Sequence, residues 1–235
     1  MIDASHDTGP VPLLASASPQ RRELIRMVAD GADAIATDID ESFDPTWAPE
    51  AIARDLAIRK AIAALAVQPG RVVIGADTIV VVDGEVLNKP EDRDHGRAML
   101  TRLAGRSHEV YTGVAVAGPD AGELRSEVTR SVVTFFPLSD EQIEQYLDTG
   151  VWTDKAGAYG IQGVGGDIVA RVDGCFQSVV GFPLCSVARL LVSRGVGIRR
   201  EAPTCGLRVD TPCPYWPTAN QARASQSSSG RASTS

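Results

Sequence analysis

A carboxylate stands within the most apolar stretch of the chain. Asp77 lies between the runs Val72–Ile74 and Ile79–Val82. Dense β-branched residues favour buried strands, and an ionised carboxylate in such a strand needs compensation. A metal ion, a substrate or a lysine could each provide it, and Lys89 follows a short way along the chain. Asp77 is therefore the candidate centre of chemistry.

Two arginines could bind an anion near the amino terminus. Ser18-Pro19 predicts the start of a helix, because serine caps free amides and proline suits the first turn. Arg21 and Arg22 then fall in that turn, where cations oppose the helix dipole. Free amides and guanidinium groups together favour a phosphate site. The alternative is that both arginines are solvated surface charges.

An acidic run and scattered lysines extend this chemistry. Asp38, Asp40 and Glu41 are close in sequence, and any of them could supply oxygen to Mg²⁺. Lys60 lies in a predicted helix, where it could serve a site or be ordinary surface. Carboxylates that bind a metal or activate water, together with cations on phosphate oxygens, suit hydrolysis of a phosphoanhydride.

Several other chemistries lack their signatures in this sequence. There is no Gly-x-Ser-x-Gly elbow and no Gly-x-x-x-x-Gly-Lys-Ser/Thr loop, which argues against acyl transfer and against a P-loop enzyme. The glycine-rich segment 153–166 does not have the spacing of a dinucleotide fingerprint. The four cysteines contain no C-x-x-C pair, so a zinc site or disulfide framework is disfavoured.

The elements that must position these residues alternate between strands and helices. We expect strands at Leu13–Ala17, Ala34–Ile39, Glu109–Ala117 and Glu127–Phe136. Helices are expected over Pro49–Val67, Asp92–Leu103, Ser139–Leu147 and from Phe182 to about Ser193. Two hairpins are expected, one over Val72–Val82 turning at Asp83-Gly84, the other joining Ile168–Val172 to Cys175–Val180.

Composition limits the class of protein. The 235 residues carry a formal net charge of -7, which disfavours a nucleic-acid partner. No apolar run is long enough for a membrane span and the amino terminus does not resemble a signal peptide, so a cytoplasmic protein without a membrane partner is expected. We expect an N-terminal extension over 1–12, a domain over 13–194 and, from its low complexity, a disordered tail over 195–235.

Five segments in order resemble the Maf family of nucleoside triphosphate pyrophosphatases, and the resemblance runs from about Leu13 to about Val192. The matching segments are Ala15-Ser16-Ala17-Ser18-Pro19-Gln20-Arg21-Arg22-Glu23-Leu24, Gly75-Ala76-Asp77-Thr78, Lys89-Pro90, His108 through Thr112 and Asp154 through Gly163. The resemblance implies a mixed α/β fold with a central twisted sheet flanked by helices, and an active-site cleft between two lobes. It also implies hydrolysis of a nucleoside triphosphate to monophosphate and pyrophosphate with a divalent cation, Mg²⁺ or Mn²⁺.

The resemblance also assigns roles by position. Asp77 matches the catalytic proton acceptor, and Glu41 an acidic position that helps to hold the metal or the attacking water. From the residues alone, Asp77 could take the proton, bind the metal, or do both. The positions that match the phosphate end of the cleft are Ser16, Arg21, Lys60 and Lys89.

A third set of matching positions concerns which nucleotide base the enzyme would accept. Thr78 and Gln162 match positions tied to specificity, and Tyr159-Gly160-Ile161-Gln162-Gly163 resembles the dTTP/UTP subgroup. Glutamine can offer a donor and an acceptor to a pyrimidine edge. Gln20 departs from the arginine usual at a position that also contributes to specificity. The alternatives are a 7-methylguanosine triphosphate pyrophosphatase and a nucleotide-sensing regulator of septum formation. The resemblance further implies a homodimer.

Overall fold

A computed structural model describes residues 9–119, 124–203 and 216 of the chain. These residues form a seven-stranded sheet flanked by six α-helices. The strands are β1 (Leu13–Ala15), β2 (Asp33–Ile35), β3 (Val73–Val82), β4 (Glu85–Leu87), β5 (Ser107–Ala117), β6 (Leu124–Phe135) and β7 (Val169–Asp173). The helices are α1 (Pro19–Arg26), α2 (Pro49–Val67), α3 (Arg93–Leu103), α4 (Asp140–Asp148), α5 (Phe176–Val180) and α6 (Leu184–Val192).

The sheet is mixed, as predicted. Its order is β2-β1-β3-β5-β6-β7, with β4 added to β3. The β1–β2 and β1–β3 pairs are parallel, and the other pairs are antiparallel. None of the helices in the described ranges is long and apolar enough to cross a membrane.

One edge of β3 is open at its middle. The β5 side is paired from Val73 to Val81. On the other side β1 pairs only with Val73–Gly75, and β4 only with Val80–Val82. Asp77 therefore lies on a stretch of strand that has a neighbour on one side and an opening on the other.

Helix α2 packs against the sheet along a seam of small residues. A Cβ added at Gly75 of β3 would lie 2.1 Å from the carbonyl oxygen of Ala57, and one at Gly113 of β5 would lie 2.1 Å from that of Ala53. These glycines let the helix backbone approach the strands directly. The close approach brings Lys60, on the same helix, against β3.

Two large apolar clusters form the two predicted lobes. One packs α1 and α6 on the sheet and includes Leu14, Ile25, Ile74, Phe182 and Leu191. The other packs α3 and α4 near the far end of β3 and includes Val80, Leu100, Phe135 and Leu147.

The expected hairpin at Asp83-Gly84 is present, with β3 and β4 as its strands. One expectation for a strand was wrong. The segment expected as the strand Cys175–Val180 contains helix α5. Hydroxyl groups there satisfy backbone groups that a strand would pair: the Cys175 N–H donates to Ser131 Oγ at 3.0 Å, and Ser178 Oγ donates to the Cys175 carbonyl at 2.7 Å.

The expected disordered tail does not begin at residue 195. Val196 and Trp216 are buried in the cluster that contains α1 and α6. The Arg199 N–H donates to the Val28 carbonyl at 2.8 Å, and the Trp216 indole N–H donates to the Arg199 carbonyl at 3.2 Å. Isolated apolar residues without periodicity gave no sign of this packing. The expectations for 1–8, 204–215 and 217–235 lie outside the described residues.

Candidate active site

A cleft of about 340 Å³ opens at the unpaired edge of β3. Its walls come from the β1–α1 connection, α2, β3 and the loop before Tyr159. Eight of the nine predicted site residues line it: Ser16, Gln20, Arg21, Glu41, Lys60, Asp77, Thr78 and Lys89. This volume falls within the range of small-molecule sites.

Lys60 joins the two predicted catalytic carboxylates. Its Nζ lies 2.5 Å from Asp77 Oδ1 and 2.7 Å from Glu41 Oε1. Lys60 and Asp77 are each 8% exposed, so each charge is compensated mainly by protein. Of the partners that the sequence left open for Asp77, the structure provides a lysine, Lys60, while Lys89 pairs with Glu41.

Glu41 is held between two lysines. Lys89 Nζ lies 3.5 Å from Glu41 Oε2, on the side away from Lys60. Partial burial alone would raise the pKa of Glu41, but the hydrogen bond and charge of Lys60, aided by Lys89, lower it below its usual value. Glu41 is thus ionised at neutral pH, and its carboxylate oxygens can coordinate a cation.

The Arg21 side chain points into the protein, toward the open edge at the middle of β3. Its guanidinium donates to the carbonyls of Ala76 and Gly181, both at 2.8 Å, and to Thr78 Oγ1 at 3.1 Å. The Ala76 carbonyl lies just beyond the last β1–β3 pair, so Arg21 satisfies a group that β1 leaves unpaired. Burial lowers the pKa of Arg21, which the charges of Asp77 and Glu41 oppose. Arg21 shapes the cleft wall and contributes positive charge to it.

The β1–α1 connection is ordered by its own hydroxyl groups. Ser18 caps α1, with Oγ accepting from the Arg21 N–H at 3.4 Å. Ser16 Oγ accepts from the Ser18 N–H at 3.1 Å, and Ser18 Oγ donates to Gln20 Oε1 at 3.1 Å. Gln20 therefore extends the capping interactions of this loop at the cleft.

Thr78 belongs to a directed chain of hydrogen bonds. Thr112 Oγ1 donates to the Ser178 carbonyl at 2.7 Å, so it accepts from Thr78 Oγ1, 2.9 Å away. Thr78 in turn accepts from Arg21. The Thr78 hydroxyl thus donates its proton to Thr112, and its oxygen faces the cleft as a hydrogen-bond acceptor.

Gln162 is the predicted site residue that does not line the cleft. It is exposed between the short 3₁₀ turns Ala156–Ala158 and Gly163–Asp167. The same glycine-rich segment instead contributes Asp154, Lys155 and Tyr159 to the cleft wall. Sequence reasoning had not selected these three, although all of them lie in the matching segment Asp154 through Gly163.

Tyr159 is fixed by a buried histidine. His108 Nε2 lies 2.8 Å from the Tyr159 hydroxyl, and both rings pack edge-on against Phe135. Burial lowers the pKa of His108 to about 4, so the ring is neutral at pH 7. His108 is therefore suited to orienting the loop and not to acting as a base in the cleft.

The donor set fits a metal that is shared with substrate. In the described parts of the chain no group of three or more His, Cys, Asp or Glu side chains could hold a metal ion. Glu41 and Asp77 nevertheless converge on one cation, Lys60 Nζ. Two carboxylates completed by phosphate oxygens and water are typical of Mg²⁺ sites in enzymes that act on nucleotides.

Comparisons with known proteins agree with this architecture. The Maf-like protein family matches residues 12–194. A dTTP/UTP pyrophosphatase of Symbiobacterium thermophilum is 47% identical over 186 residues, which cover 79% of this chain and 95% of that protein. The enzymes of the same name from Bacillus velezensis and Myxococcus xanthus are each 46% identical, over 76% and 78% of this chain and 94% and 92% of their own lengths. Since the family match spans most of the chain and these relatives are covered almost end to end, the chain belongs to the Maf-like protein family.

Proposed function

We propose that this protein hydrolyses a pyrimidine nucleoside triphosphate, dTTP or UTP, to the monophosphate and pyrophosphate. The observation that carries the proposal is the Lys60 ammonium set between Asp77 and Glu41 at the floor of a cleft. The names of the relatives support the choice of substrate class.

The charges of the cleft support a polyphosphate ligand. Its lining contains the cations Arg21, Lys60, Lys89 and Lys155, against the carboxylates Glu41, Asp77 and Asp154. The excess of cations stands out in a chain of net charge -7. Transfer at phosphorus requires mainly positioning and neutralisation of charge, which this lining would provide.

Asp77 is proposed as the group that takes the proton of the attacking water. Lys60 engages Oδ1 of this carboxylate, so Oδ2 is the oxygen left to accept the proton. The ammonium orients the carboxylate, while Lys89, 60% exposed, is able to move to a phosphate oxygen. In this scheme the water oxygen forms a bond to the α-phosphorus and gives a proton to Asp77, while the bond between the α-phosphorus and the bridging oxygen breaks and pyrophosphate leaves.

Glu41 and Asp77 are the residues that would hold a divalent cation, Mg²⁺ or Mn²⁺. When bound, such a cation supplies neutralisation of the phosphate charge and lowers the pKa of coordinated water. The carboxylates contribute the hard oxygen donors that these ions prefer.

Specificity for the base is proposed to arise from the cleft wall. Thr78 offers a hydroxyl acceptor, and Gln20 lies on the β1–α1 connection that lines the same cleft. Gln162 could act only if its loop moved toward the cleft with substrate bound, since its side chain is exposed in this structure. The residues of that segment that already line the cleft include Asp154, Lys155 and Tyr159.

The proposal is tested by incubating the purified protein with dTTP, UTP, CTP, the purine triphosphates and 7-methylguanosine triphosphate. Monophosphate and pyrophosphate are measured with Mg²⁺, with Mn²⁺ and with EDTA. We expect turnover of dTTP and UTP that EDTA abolishes. Preferential turnover of 7-methylguanosine triphosphate would instead place the chain in the other subgroup.

Two matched variants separate catalysis from folding. Asp77→Asn should abolish turnover, whereas Asp83→Asn, at the exposed turn that ends the same strand, should retain it. If wild-type protein binds nucleotide but releases neither product, a sensing function replaces the enzymatic one. Full activity of Asp77→Asn would remove Asp77 from the mechanism.

The extent of the domain, the cellular location and the oligomeric state are proposed as well. The domain expected over residues 13–194 is supported by the family match over 12–194, and we propose that it also includes Val196, Ile198 and Trp216, which pack in the same apolar cluster as α1 and α6. A cytoplasmic location would place the protein with its nucleotide substrates. A homodimer would appear as twice the chain mass in light scattering.

A further inference from the structure

The loop that presents Glu41 has no regular secondary structure of its own. Residues 36–44 belong to no helix or strand, and the Glu41 side chain is 46% exposed. A carboxylate on such a segment would be expected to sample many positions, because each unrestrained residue gains conformational entropy. A metal or substrate ligand needs the opposite property, a fixed location before binding.

Arg59 of α2 holds this loop at both sides of Glu41. Its Nη2 donates to the Ser42 carbonyl at 2.7 Å, and its Nη1 donates to the Asp40 carbonyl. A planar guanidinium can bridge two neighbouring acceptors, which a lysine ammonium cannot do in the same way. The two bonds fix the Asp40–Glu41 and Ser42–Phe43 peptide groups, which lie before and after Glu41.

Another residue of α2 orients the Arg59 guanidinium group at its Nε atom. Its Nε lies 2.8 Å from Asp55 Oδ2, off the N–H axis, so the contact is an ion pair and not a hydrogen bond. Asp55 is one helical turn earlier, and the pairing turns the guanidinium toward the loop. On the loop side, Asp40 Oδ1 accepts from the Ser42 N–H at 2.8 Å and closes the turn that contains Glu41.

Arg59 and Lys60 thus hold Glu41 by two different groups. Lys60 binds its carboxylate, while Arg59 binds the backbone around it. Arg59 itself does not line the cleft. We infer that Arg59 is a positioning residue that preorganises Glu41 for the divalent cation and substrate; this inference rests on the proposed function of the same site.

The experiment compares Arg59→Gln with Arg54→Gln. Arg54 is a matched control, because it lies on the same helix and pairs with an acidic residue one turn earlier, Glu50 at 2.6 Å, while its other contacts go to Ser126. Both variants lose one exposed helical ion pair of small value. They should therefore unfold at similar temperatures.

Two readouts are expected to separate them. In the protein without ligands, amide hydrogen exchange over residues 38–44 should be faster in Arg59→Gln than in wild type or Arg54→Gln. With nucleotide, the Mg²⁺ concentration for half-maximal activity should rise about 10-fold or more in Arg59→Gln, the usual range for loss of an outer support of a metal ligand. Arg59→Lys should recover part of this loss, because it restores one donor.

A double variant tests whether the effect runs through Glu41. In a Glu41→Gln background, adding Arg59→Gln should change the Mg²⁺ requirement less than about 2-fold, since residues acting through one another are not additive. A full effect of about 10-fold in that background, or unchanged loop exchange in Arg59→Gln, would overturn the inference. Absence of turnover in wild type would refute the proposed function, whereas the exchange measurement on ligand-free protein would still decide the role of Arg59.

Discussion

Replacing Lys60 by methionine should destabilise the protein more than replacing its partner Asp77 by asparagine. Methionine preserves most of the apolar stem of lysine but removes its charge. Asp77 is 8% exposed and would lose the ammonium that lies 2.5 Å away. The Asp77→Asn variant would instead leave Lys60 paired with Glu41 at 2.7 Å, so that no buried charge is left alone.

The size of the difference follows from this asymmetry. Removing one partner of a buried pair typically costs about 3–5 kcal/mol, because the other charge remains desolvated. The cleft is open to water and the charge of Arg21 acts on Asp77, so the lower end of that range applies. We expect Lys60→Met to lose about 3 kcal/mol of unfolding free energy, and Asp77→Asn about 1 kcal/mol or less.

Urea denaturation at fixed pH, followed by tryptophan fluorescence, measures both changes. The double variant Lys60→Met/Asp77→Asn is the critical sample, because it contains neither member of the pair. It should be more stable than Lys60→Met alone, since the desolvated carboxylate is gone. If Asp77→Asn costs as much as Lys60→Met, or if the two losses simply add, the reasoning from an uncompensated buried charge is refuted.

Three further predictions concern the frame of the cleft. Gly113→Ala should lower the free energy of unfolding by about 3 kcal/mol, the upper end of the range for overpacking, because the new Cβ would meet the Ala53 carbonyl. Thermal or urea unfolding measures this change, and an unchanged stability would show that α2 can move away. Burial lowers the pKa of His108 to about 4 from 6.5, so the unfolded chain takes up this proton first and about 3 kcal/mol of stability should be lost as pH falls from 6.5 toward 4. His108→Gln should flatten that dependence in pH-resolved urea titrations, and an unchanged slope would exclude His108 as its source. Trp216→Ala should lower the free energy of unfolding by about 3 kcal/mol without changing turnover, and equal stability of the variant would show that the indole does not secure residues 196–203.

Local signals in the sequence predicted much of the fold. The serine caps at Ser18 and Ser139 start α1 and α4, and Ser139 forms the full capping box with Gln142. The bounds Pro49–Val67 of α2 were predicted without error. At the Asp83-Gly84 turn both residues have positive φ, as a tight hairpin requires. In each case the determining contacts lie within a few residues.

Features that depend on distant partners were not predictable in the same way. Arg21 was expected to bind phosphate, and the structure adds that three of its five N–H groups bind protein acceptors, one of them where β1 stops short along β3, which no local pattern reveals. The Cys175–Val180 segment has strand-like composition, yet a hydroxyl 44 residues away in sequence, that of Ser131, favours a helix. Gln162 was assigned to base choice because it matches a position in a family motif, and such a match does not determine which way a loop faces.

The seam of small residues between α2 and the sheet affects how variants of this protein should be interpreted. Gly75 touches no proposed substrate group, but any side chain there would push against the Ala57 carbonyl and displace the helix that carries Lys60. A mutational scan scored by activity alone would rank Gly75 beside Asp77 and invite a catalytic assignment. Scoring the same library for cellular abundance would separate them, since Gly75 variants should be depleted in both measurements and Asp77 variants mainly in activity. Intolerance to substitution at this seam therefore indicates that the backbones of α2 and the sheet must lie close together. The positions of the side chains in the cleft depend on this spacing, and so on residues that have almost no side chain.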